Sequence, residues 1–490
     1  MNARSSITQR CEDLTDKELA KQWENIPLKK AQAFVKRLQT RIAKAVKEGK
    51  YRLAKRLQHL LTNSFYAKVL AVRRTSSNRG RKTAGIDGEK WITPYDKMRA
   101  VLQLSNTGYR AKPLRRVYIP KPNSDKRRAL SIPTMHDRAM QALHAMALSP
   151  WAETTADKVS FGFRKNRNAQ DAAEYAFICL SRKGSALWIL EGDIKGCFDN
   201  FAHSWLLNNI PMDRRILRQF LSAGYIFDGI LYRNRSGTPQ GGLISPHLAN
   251  MALDGLEHIL KTHFPSQKVH LIRFADDFVI TAESREIAER CKEIVVDFLK
   301  DRGLELSEEK TEIVHINEGF DFIGWNFRKF KGKLLIQPSK KAVAAITLML
   351  SETVKFAKAW TQDQLISRLN SLIQGWALYH RYASSSRVFS KLDWILYQML
   401  WTWAKRRHNN KGKSWIATKY WQPTLTRSRV FKGKTQTLLK FSDTKIKYRK
   451  FLSLDANPYL DLEYFEHRKG VFLSTQKSIQ TFLHCAHKSG

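Results

Sequence analysis

Two adjacent carboxylates stand between two apolar runs, in a setting suited to binding a divalent cation. Residues 271–280 read LIRFADDFVI, with Asp276 and Asp277 near the centre. Apolar residues on both sides predict a tight turn that joins two buried strands. Like charges at such a turn repel each other, and a bound cation would offset the repulsion. Mg²⁺ fits, because it takes carboxylate oxygens and leaves positions open for phosphates. An exposed Asp-Asp turn is the simpler alternative.

A third carboxylate follows another apolar run. Residues 188–199 read WILEGDIKGCFD, which predicts a strand that ends at Asp193. If this strand lies beside the turn at Asp276, three acids converge, as a two-metal phosphoryl-transfer site requires. The metals would activate a primer 3′-hydroxyl and hold the leaving pyrophosphate, and Phe198 would press against the 2′ position of a sugar. Taken alone, Asp193 is a strand-end acid and Phe198 a core aromatic.

A glycine-rich segment lies between these two acidic segments. Residues 236–246 read SGTPQGGLISP. Glycines on both sides of Pro-Gln allow the backbone to approach a flat ligand closely, and the residues after them predict the start of a helix. A plain connector is the alternative.

In this order, the strand that ends at Asp193, the TPQGG loop and the FADD turn resemble the reverse transcriptases of the group II intron maturase type. Further matching segments are RVYIPK at 116–121, DRAMQAL at 137–143, FGFR at 161–164, GLELSEEKT at 303–311, FIGW at 322–325 and GWALYH at 375–380. The resemblance covers about residues 28 to 470. It implies an α+β right-hand polymerase with fingers, palm, a helical thumb or maturase domain, and a basic C-terminal DNA-binding domain.

The resemblance also implies roles for individual residues. Asp193, Asp276 and Asp277 would be the catalytic acids, and with the Ile194 carbonyl they would bind two Mg²⁺ ions. The substrates would be deoxynucleoside triphosphates. The residues implied to bind the nucleotide are Lys121, Arg128, Ile194, Phe198 as the sugar gate, Gln240, and Lys310 as proton donor to pyrophosphate. The residues implied to support the primer end are Phe322, Gly324 and Trp325.

Three departures from the family pattern affect the details. Phe274 begins the turn motif where the family usually has Tyr, and ring stacking should compensate for the lost hydroxyl. Arg127 competes with Arg128 for the triphosphate, because the segment around them is altered. The usual Pro after Arg164 is absent, which leaves the local turn open.

Composition agrees with a polyanionic partner. The chain has 85 Lys and Arg against 44 Asp and Glu, a formal charge of +41. A ribosomal or chromatin-like protein would also be basic, but it would rarely be 43% hydrophobic with 25 Phe and 13 Trp. That much apolar material predicts three or four domains. Five scattered cysteines, a polar N-terminus and the absence of a long apolar run predict a cytoplasmic protein with no membrane contact. The resemblance implies a bacterial ribonucleoprotein associated with the nucleoid.

Changes of pattern along the chain predict six regions. The resemblance implies that they are an RNA-binding N-terminal extension at 1–75, fingers at 76–150, palm at 151–335, thumb or X domain at 336–410, a basic D domain at 411–470 and a tail at 471–490.

The N-terminal extension has two amphipathic segments. Apolar spacing predicts helices over about 28–49 and 51–62, with basic residues on the opposite face. Solvated basic faces are common, and the resemblance is what points to RNA. The residues implied to bind RNA are Lys29, Lys36, Arg37, Arg41, Lys44, Arg73 and Arg74.

Two regions follow the predicted palm. Long helical periodicity from Pro338 to Arg407 predicts helices. The resemblance implies that they form a three-helix thumb, which would hold the template–primer duplex and intron RNA. Residues 411–450 then contain twelve Lys or Arg and one acid, Asp443, among aromatic residues. Charge with aromatics suits phosphate attraction and base stacking, although a flexible basic tail is possible. The residues implied to bind DNA are Lys419, Arg427, Arg429, Lys432 and Lys434.

Many relatives continue into an HNH endonuclease with paired cysteines, whereas the C-terminal part here contains only Cys485. Four metal ligands would be needed, so the sequence predicts no such nuclease domain and a primer supplied from elsewhere, for example by a replication fork. The expected function is RNA-directed DNA synthesis together with promotion of intron splicing and retrohoming. The expected partners are group II intron RNA, target DNA and an RNA template with a DNA primer. A domesticated enzyme of DNA repair or phage defence and a splicing cofactor with an idle polymerase site are the alternatives, and the oligomeric state is open.

Overall fold

Helices and two four-stranded sheets form most of the computed structural model, which describes residues 15–120, 127–238, 241–265, 267–424 and 427–469. The α-helices are α1 (Asp16–Glu24), α2 (Leu28–Lys47), α3 (Tyr51–Asn63), α4 (Phe65–Ser77), α5 (Pro94–Gln103), α6 (Met135–Thr155), α7 (Ala169–Leu180), α8 (Cys197–Asn200), α9 (His203–Asn209), α10 (Arg214–Ser222), α11 (Ser245–Leu253), α12 (Leu256–His263), α13 (Arg285–Lys300), α14 (Lys340–Phe356), α15 (Gln362–His380), α16 (Ser386–Arg407), α17 (Lys413–Tyr420) and α18 (Leu462–Lys469). The strands are β1 (Leu114–Pro120), β2 (Arg127–Ile132), β3 (Trp188–Asp193), β4 (Tyr225–Phe227), β5 (Ile230–Tyr232), β6 (His270–Phe274), β7 (Asp277–Ala282), β8 (Glu312–His315), β9 (Phe320–Phe322), β10 (Trp325–Phe330), β11 (Lys333–Pro338), β12 (Trp421–Thr424) and β13 (Arg427–Phe431).

The two predicted N-terminal helices are confirmed as α2 and α3, and their ends agree with the prediction within two residues. Their apolar faces, with Ile42 and Leu61 fully buried, pack against the long helix α6. The basic residues are on the opposite, exposed face. An amphipathic helix buries only its apolar stripe, so the remaining face is free to attract polyanions.

The central sheet positions the acids. Its strand order is β6-β7-β3-β8, and all neighbouring strands are antiparallel. In the pairing of β3 with β7, Asp193 is directly opposite Asp277. One residue earlier, Gly192 is opposite Phe278, and a Cβ at position 192 would come within 2.2 Å of the Phe278 ring. Glycine at 192 therefore permits the close approach that brings the two aspartates together.

A second four-stranded sheet has the order β2-β1-β4-β5, in which β1 and β2 belong to the predicted fingers and β4 and β5 to the predicted palm. Strands β1 and β2 form an antiparallel pair in which Ile119 is opposite Arg128 and Pro120 is opposite Arg127. Residues 121–126 between these strands lie outside the described part of the chain. The sheet thus carries the two candidate arginines on one strand.

Three long helices, α14, α15 and α16, make up the predicted thumb and confirm its three-helix plan. Their core contains leucines and Trp376, and it extends to Tyr420, Trp421 and Phe431 from the basic region that follows. The start of the predicted D domain is therefore packed on the thumb. The domain boundaries themselves stay a prediction.

The last described residues return to the palm. Arg449 and Arg468 both donate to the Asp171 carboxylate, at 2.7 and 2.5 Å, and Asp171 is completely buried. The Tyr459 hydroxyl is 2.7 Å from that of Ser149 on α6. The predicted D region, 411–470, thus contributes to two cores, first that of the thumb and then that of the palm.

Among the described residues, no helix is both long enough and apolar enough to cross a membrane.

The central sheet also contains a cross-strand pair of like charges. Glu191 on β3 is opposite Glu312 on β8. Burial, followed by the charges of Glu312 and Asp321, raises the pKa of Glu191 to about 7. Because the folded state then holds a proton that the unfolded chain has lost, stability falls as pH rises from about 4.5 through about 7.

We therefore expect Glu191→Gln to raise the free energy of unfolding at about pH 8 by about 1–2 kcal/mol, after allowance for solvent screening of a half-buried group. At about pH 5 the gain should vanish, because the wild-type carboxyl is then protonated in the folded state. Denaturant titrations at both pH values measure the difference. The exposed residue Glu318 provides the control, Glu318→Gln, which should change stability little at either pH. A gain that is equal at the two pH values would contradict the titration argument.

Candidate active site

The three predicted acids come from two neighbouring strands and the turn between β6 and β7. Asp193 ends β3, Asp277 begins β7 opposite it, and Asp276 is in the turn that Ala275 enters with a φ of 60°. Their charges act on one another. Desolvation, then the charges of Asp276 and Asp193, raise the pKa of Asp277 to about 7. Repulsion from the neighbouring carboxylates therefore adds to the effect of desolvation at Asp277.

The pKa of Asp276 is also raised, by burial and by the charge of Asp193. The cations Arg128 and Lys310 act in the opposite direction. Neighbouring carboxylates that raise the pKa of Asp276 and Asp277 need positive charge nearby. This is the electrostatic setting in which divalent cations bind.

Lys310 supplies one such positive charge. Its ammonium group donates to Asp193 Oδ2 at 2.7 Å, and that hydrogen bond raises the pKa of Lys310. A short 3₁₀ helix, Glu308–Lys310, holds Lys310 beside the sheet. The backbone N–H of Ser307 donates to the carbonyl of Asp193 at 2.8 Å and anchors that helix. The structure therefore brings Lys310 to the acids, in line with its predicted place near the leaving group.

The Ile194 carbonyl was predicted as a further metal ligand. Ile194 is buried and forms an isolated bridge with Leu306. The two hydrogen bonds of that bridge use Asp193 and Lys195, so neither involves the Ile194 carbonyl. Carboxylate and carbonyl oxygens are the donors that Mg²⁺ prefers, and the donor set fits the ion.

In the described residues, no group of three or more His, Cys, Asp or Glu side chains is arranged to hold a metal ion. The three aspartates are neighbours, but one oxygen of Asp193 is bonded to Lys310. Binding two ions therefore requires that these side chains adjust. The metal role of Asp193, Ile194, Asp276 and Asp277 stays a prediction.

Phe198, the predicted sugar gate, is on the short helix α8 beside the acids. Its ring meets that of Phe163 edge-to-face, with ring centroids 6.2 Å apart. Phe163 has a φ of 57° and is 54% exposed. Such a backbone is unusual for a bulky residue, and sites of ligand contact often contain strain of this kind. Phe163 was not predicted as a site residue, and its ring lies beside that of Phe198.

The glycine-rich loop contacts the backbone of α8. Thr238 N–H donates to the Phe198 carbonyl at 2.6 Å, and Gly237 N–H donates to the Phe201 carbonyl at 2.8 Å. The loop is therefore anchored next to the predicted gate. Gln240 itself lies outside the described residues, as does Lys121, and their predicted contacts with the nucleotide stay predictions.

The two candidate arginines of β2 differ in their relation to the acids. Arg128 is close enough to lower the pKa of Asp276, whereas Arg127 is not among the groups that act on it most. Both side chains are exposed. This placement favours Arg128, the residue that the resemblance indicated first, as the one that faces the active site.

The predicted primer support is a tight turn between β9 and β10. Phe322 and Trp325 are paired across it and almost fully buried, and Gly324 has a φ of 86°. The Trp325 ring stacks on Tyr379 of the thumb at 4.6 Å, and the Tyr379 hydroxyl donates to the Ile323 carbonyl. Because Phe322 and Trp325 are buried, they can support a primer through the backbone of the turn rather than by side-chain contact.

A buried network behind the turn of the acids was not predicted. Arg273 lies three residues before Asp276 in the sequence, and its side chain is 1% exposed. Its guanidinium donates to Asp254 Oδ1 at 2.5 Å, to Asn250 Oδ1 at 3.2 Å and to the Ala275 carbonyl at 3.4 Å. Burial raises the pKa of Asp254, and the charge of Arg273 acts against that rise. Arg273 thus joins the acidic turn to α11 and the residue that follows this helix.

A second unpredicted contact holds the same turn. Gly162 lies so close to it that a Cβ at 162 would be 2.3 Å from the Ala275 nitrogen. Asn250 Nδ2 donates to the Gly162 carbonyl at 2.9 Å. Only glycine can be accommodated in such an approach. The FGFR segment at 161–164 therefore packs against the acidic turn. Its single glycine is the sequence feature from which this close contact could have been predicted.

The predicted RNA-binding residues share one property: all of them are exposed. They lie on α2 and α4, and they are Lys29, Lys36, Arg37, Arg41, Lys44, Arg73 and Arg74. Lys36 is 3.7 Å from Glu466, an exposed ion pair of little strength. Exposure is compatible with RNA contact but does not test it.

The predicted DNA-binding residues are less uniform. Lys419, Arg429 and Lys434 are exposed, and Lys432 is half-buried. The Lys419 ammonium lies over the Trp415 ring at 4.7 Å. Arg427 pairs with Asp443, the single acid of the region, so its charge is already largely compensated. Arg427 is consequently the weakest of the five candidates for phosphate contact.

Comparison with protein families agrees with this geometry. Residues 119–327 match the model for reverse transcriptase, described as RNA-dependent DNA polymerase. Residues 23–104 match the N-terminal domain of reverse transcriptase, and residues 343–421 match the maturase-specific domain of group II introns. These three matches define the class of protein: a reverse transcriptase joined to a maturase domain.

The chain belongs to the reverse transcriptase and maturase family encoded by group II introns. It is 30% identical over 341 residues to the group II intron-encoded protein LtrA of Lactococcus lactis, covering 55% of this chain and 56% of LtrA. It is 32% identical over 301 residues to protein YkfC of Escherichia coli, covering 52% of this chain and 78% of YkfC. The chain thus spans little more than half the length of LtrA. Among solved structures, truncated apo telomerase from Candida tropicalis is 12% identical with a TM-score of 0.37, over 46% of this chain and 54% of that one, a likeness too low to support an inference.

Proposed function

We propose that the chain is an RNA-directed DNA polymerase that also binds its group II intron RNA and promotes splicing, with retrohoming by target-primed reverse transcription. One observation carries the enzymatic part: Asp193 is opposite Asp277 in the sheet register, and Asp276 is in the adjoining turn. Two-metal phosphoryl transfer needs such a cluster of acids.

Each residue near the acids has a role in this proposal. Bound Mg²⁺ would lower the pKa of the primer 3′-hydroxyl and neutralise charge on the triphosphate. Asp193, Asp276, Asp277 and the Ile194 carbonyl would hold the ions, and Arg128 would bind phosphate oxygens. Lys310, protonated at its hydrogen bond to Asp193, would give its proton to the pyrophosphate that leaves. Phe322, Gly324 and Trp325 would fix the turn on which the primer end rests.

The partners follow from charge and family membership. A formal charge of +41 attracts any polyanion. The exposed basic faces of α2 and α4 would bind intron RNA, and exposed residues such as Lys419, Arg429 and Lys434 would bind target DNA. We infer that the protein acts in the cytoplasm as a ribonucleoprotein, associated with the nucleoid when it engages DNA.

Primer extension tests the enzymatic part. The purified chain should extend a DNA primer on an RNA template with deoxynucleotides and Mg²⁺, and EDTA should stop the reaction. Recovery and sequencing of RNA bound to the protein in cells tests the maturase part, because the RNA should contain the intron that encodes the chain. A protein that binds this RNA but never extends a primer would be a splicing cofactor instead.

The sugar gate gives a separate prediction. Phe198→Val should lower discrimination against ribonucleotides by about 10- to 200-fold, because the smaller side chain leaves room for a 2′-hydroxyl. The measurement is the ratio of kcat/KM for a deoxynucleotide to that for the matching ribonucleotide. The exposed Phe330, which is on β10 in a separate sheet, provides the control, and Phe330→Val should leave the ratio unchanged. An unaltered ratio in Phe198→Val would remove Phe198 from the gate.

A further inference from the structure

A cleft on the thumb, between α14 and α16, is separate from the polymerase site. Its volume is about 570 Å³, within the usual range for sites that bind small ligands and cofactors. Helix α14 contributes Ser351, Val354 and Lys355 to the lining, and the short 3₁₀ turn that follows it, Ala357–Ala359, contributes Lys358. The remaining lining residues are on α16 and lie between positions 398 and 407. On α16, Gln398, Thr402 and Arg406 are spaced by four residues, so they share one face of the helix.

The rim of the cleft is strongly basic. Its four charged lining residues are Lys355, Lys358, Arg406 and Arg407, and no Asp or Glu is among the described residues that line it. Arg407 has a structural task, because it donates to the carbonyls of Lys358 and Trp360 at 3.2 and 2.6 Å. Within the described part of the chain, the other three form no ion pair with a carboxylate.

Helix ends alone do not account for this charge. Basic side chains in the last turn of a helix interact favourably with its exposed carbonyls, and α14 and α16 both end at the cleft. Arg407 makes this kind of interaction, because it donates to the carbonyls of Lys358 and Trp360 after the end of α14. Lys355, Lys358 and Arg406 remain exposed around a cavity, where their charges would attract a phosphate.

The floor of the cleft is apolar. Val354 and Trp403 are buried there, and Met399 is half-buried. Trp403 is fixed, since its indole N–H donates to the Ala357 carbonyl at 2.9 Å and Arg407 covers its ring at 4.6 Å. Met399 is therefore the accessible apolar surface. Gln398 and Thr402 add polar groups to the wall, of the kind that could bond to the edge of a flat ring.

An exposed aromatic residue stands beside the basic rim. Phe356 lies between Lys355 and Lys358 in the sequence and is 82% exposed. A large apolar side chain so exposed offers a surface on which a ring can stack. The cleft and its surroundings therefore match the groups of a nucleotide. The apolar floor and the exposed aromatic suit the face of a base, the polar wall suits the edge of the base, and the basic rim suits the phosphate.

We propose that this cleft binds a single unpaired nucleotide of a folded RNA, extruded from its helix. The base would enter the cleft against Met399, and the flanking phosphates would contact Lys355 and Arg406. This inference rests on the proposed role of RNA as the partner. It adds to that role a site that recognises RNA shape, in which an extruded base specifies where the thumb docks on the RNA.

The test uses the full-length protein and two RNA hairpins that differ only in one bulged adenosine. The protein should bind the bulged hairpin about fivefold or more tightly than the fully paired one, since stacking of one base supplies at least that much. Met399→Trp, which fills the cleft without a change of charge, should abolish the preference and leave affinity for the paired hairpin within about twofold. Thr402→Trp fills the cleft from its exposed rim. This variant is used for the same measurement if Met399→Trp does not fold.

A charge variant and its matched control separate the rim from general attraction. Lys355→Ala/Arg406→Ala should weaken binding of the bulged hairpin more than that of the paired one. The control, Lys391→Ala/Lys405→Ala, removes two exposed charges of the same thumb outside the cleft and should weaken both hairpins equally, as counterion release predicts.

Equal affinity of the wild-type protein for the two hairpins would overturn the proposal, and so would a preference that survives both filling variants. Displacement of the bulged hairpin by micromolar adenosine monophosphate would reassign the cleft to free nucleotides. Primer extension by each variant keeps the two proposals apart: it should be unchanged in the filling variants, and failure of the wild-type protein to extend any primer would refute the polymerase rather than the cleft.

Discussion

Primer extension on an RNA template should fall by about 100- to 1,000-fold or more in Asp276→Ala. Asp276 is in the turn between β6 and β7, and its charge acts on Asp277 and is acted on by Asp193. Removal of one carboxylate from a metal-binding set leaves the transition-state charge uncompensated. Single-turnover extension with a saturating primer–template duplex measures the loss.

Binding of RNA should be unchanged in the same variant, because phosphate affinity depends on the basic surfaces and not on the acids. Asp301→Ala removes an equally charged but exposed side chain at the end of α13 and should extend primers normally. A decrease in extension of less than about tenfold in Asp276→Ala would be too small for the loss of a catalytic carboxylate. That result would contradict the proposed three-acid site. Reduced RNA binding in Asp276→Ala would show that the variant is misfolded.

The placement of the acids could be predicted from sequence because two short patterns determine it. The apolar runs around Asp276 and Asp277 fit a buried hairpin, and the run before Asp193 fits a third strand. What patterns could not give is the register. The direct pairing of Asp193 with Asp277 depends on Gly192, whose role appears only when Phe278 is seen opposite it.

Contacts between residues far apart in the sequence escaped prediction. Arg273 occurs in an apolar run and reads as one charge among many in a basic chain. Its partners Asn250 and Asp254 are some twenty residues away, on or beside α11. Burial of a charge becomes visible only once tertiary structure shows what surrounds it.

In the basic C-terminal region, the sequence pattern suggested more exposed aromatic residues than the structure contains. Aromatics among basic residues at 411–450 suited base stacking, yet Tyr420, Trp421 and Phe431 are buried in the thumb core. Trp415 and Tyr448 remain exposed. Composition reveals which residue types are present, and packing decides which of them are free to meet a base.

The buried Arg273–Asp254 pair leads to the second large effect. Arg273→Met should lower the free energy of unfolding by about 3–5 kcal/mol, because Asp254 loses both the hydrogen bond of the guanidinium and the positive charge that opposes the rise of its pKa on burial. Primer extension should also fall, since Arg273 donates to the Ala275 carbonyl and so holds the turn that carries Asp276. Denaturant titration measures the first effect, and kcat measured separately from KM for the nucleotide measures the second.

A double variant separates stability from positioning. Arg273→Met/Asp254→Leu removes both members of the ion pair, so much of the stability should return. The turn would still lack its guanidinium, and kcat should stay low. Recovery of kcat together with stability would show that Arg273 acts only through folding, and Arg273→Lys, which restores the charge without the fork of donors, should be intermediate.

An exposed ion pair on the same strands gives the matched control. Lys268 and Glu283 flank β6 and β7 and are 2.6 Å apart, but both side chains are nearly half exposed. Lys268→Met should cost less than about 1 kcal/mol, as exposed pairs usually do. Solvent can rehydrate Glu283 when its partner is removed, whereas the side chain of Asp254 is only 10% exposed. That difference in access is why the same substitution has such unequal consequences at the two ends of one hairpin.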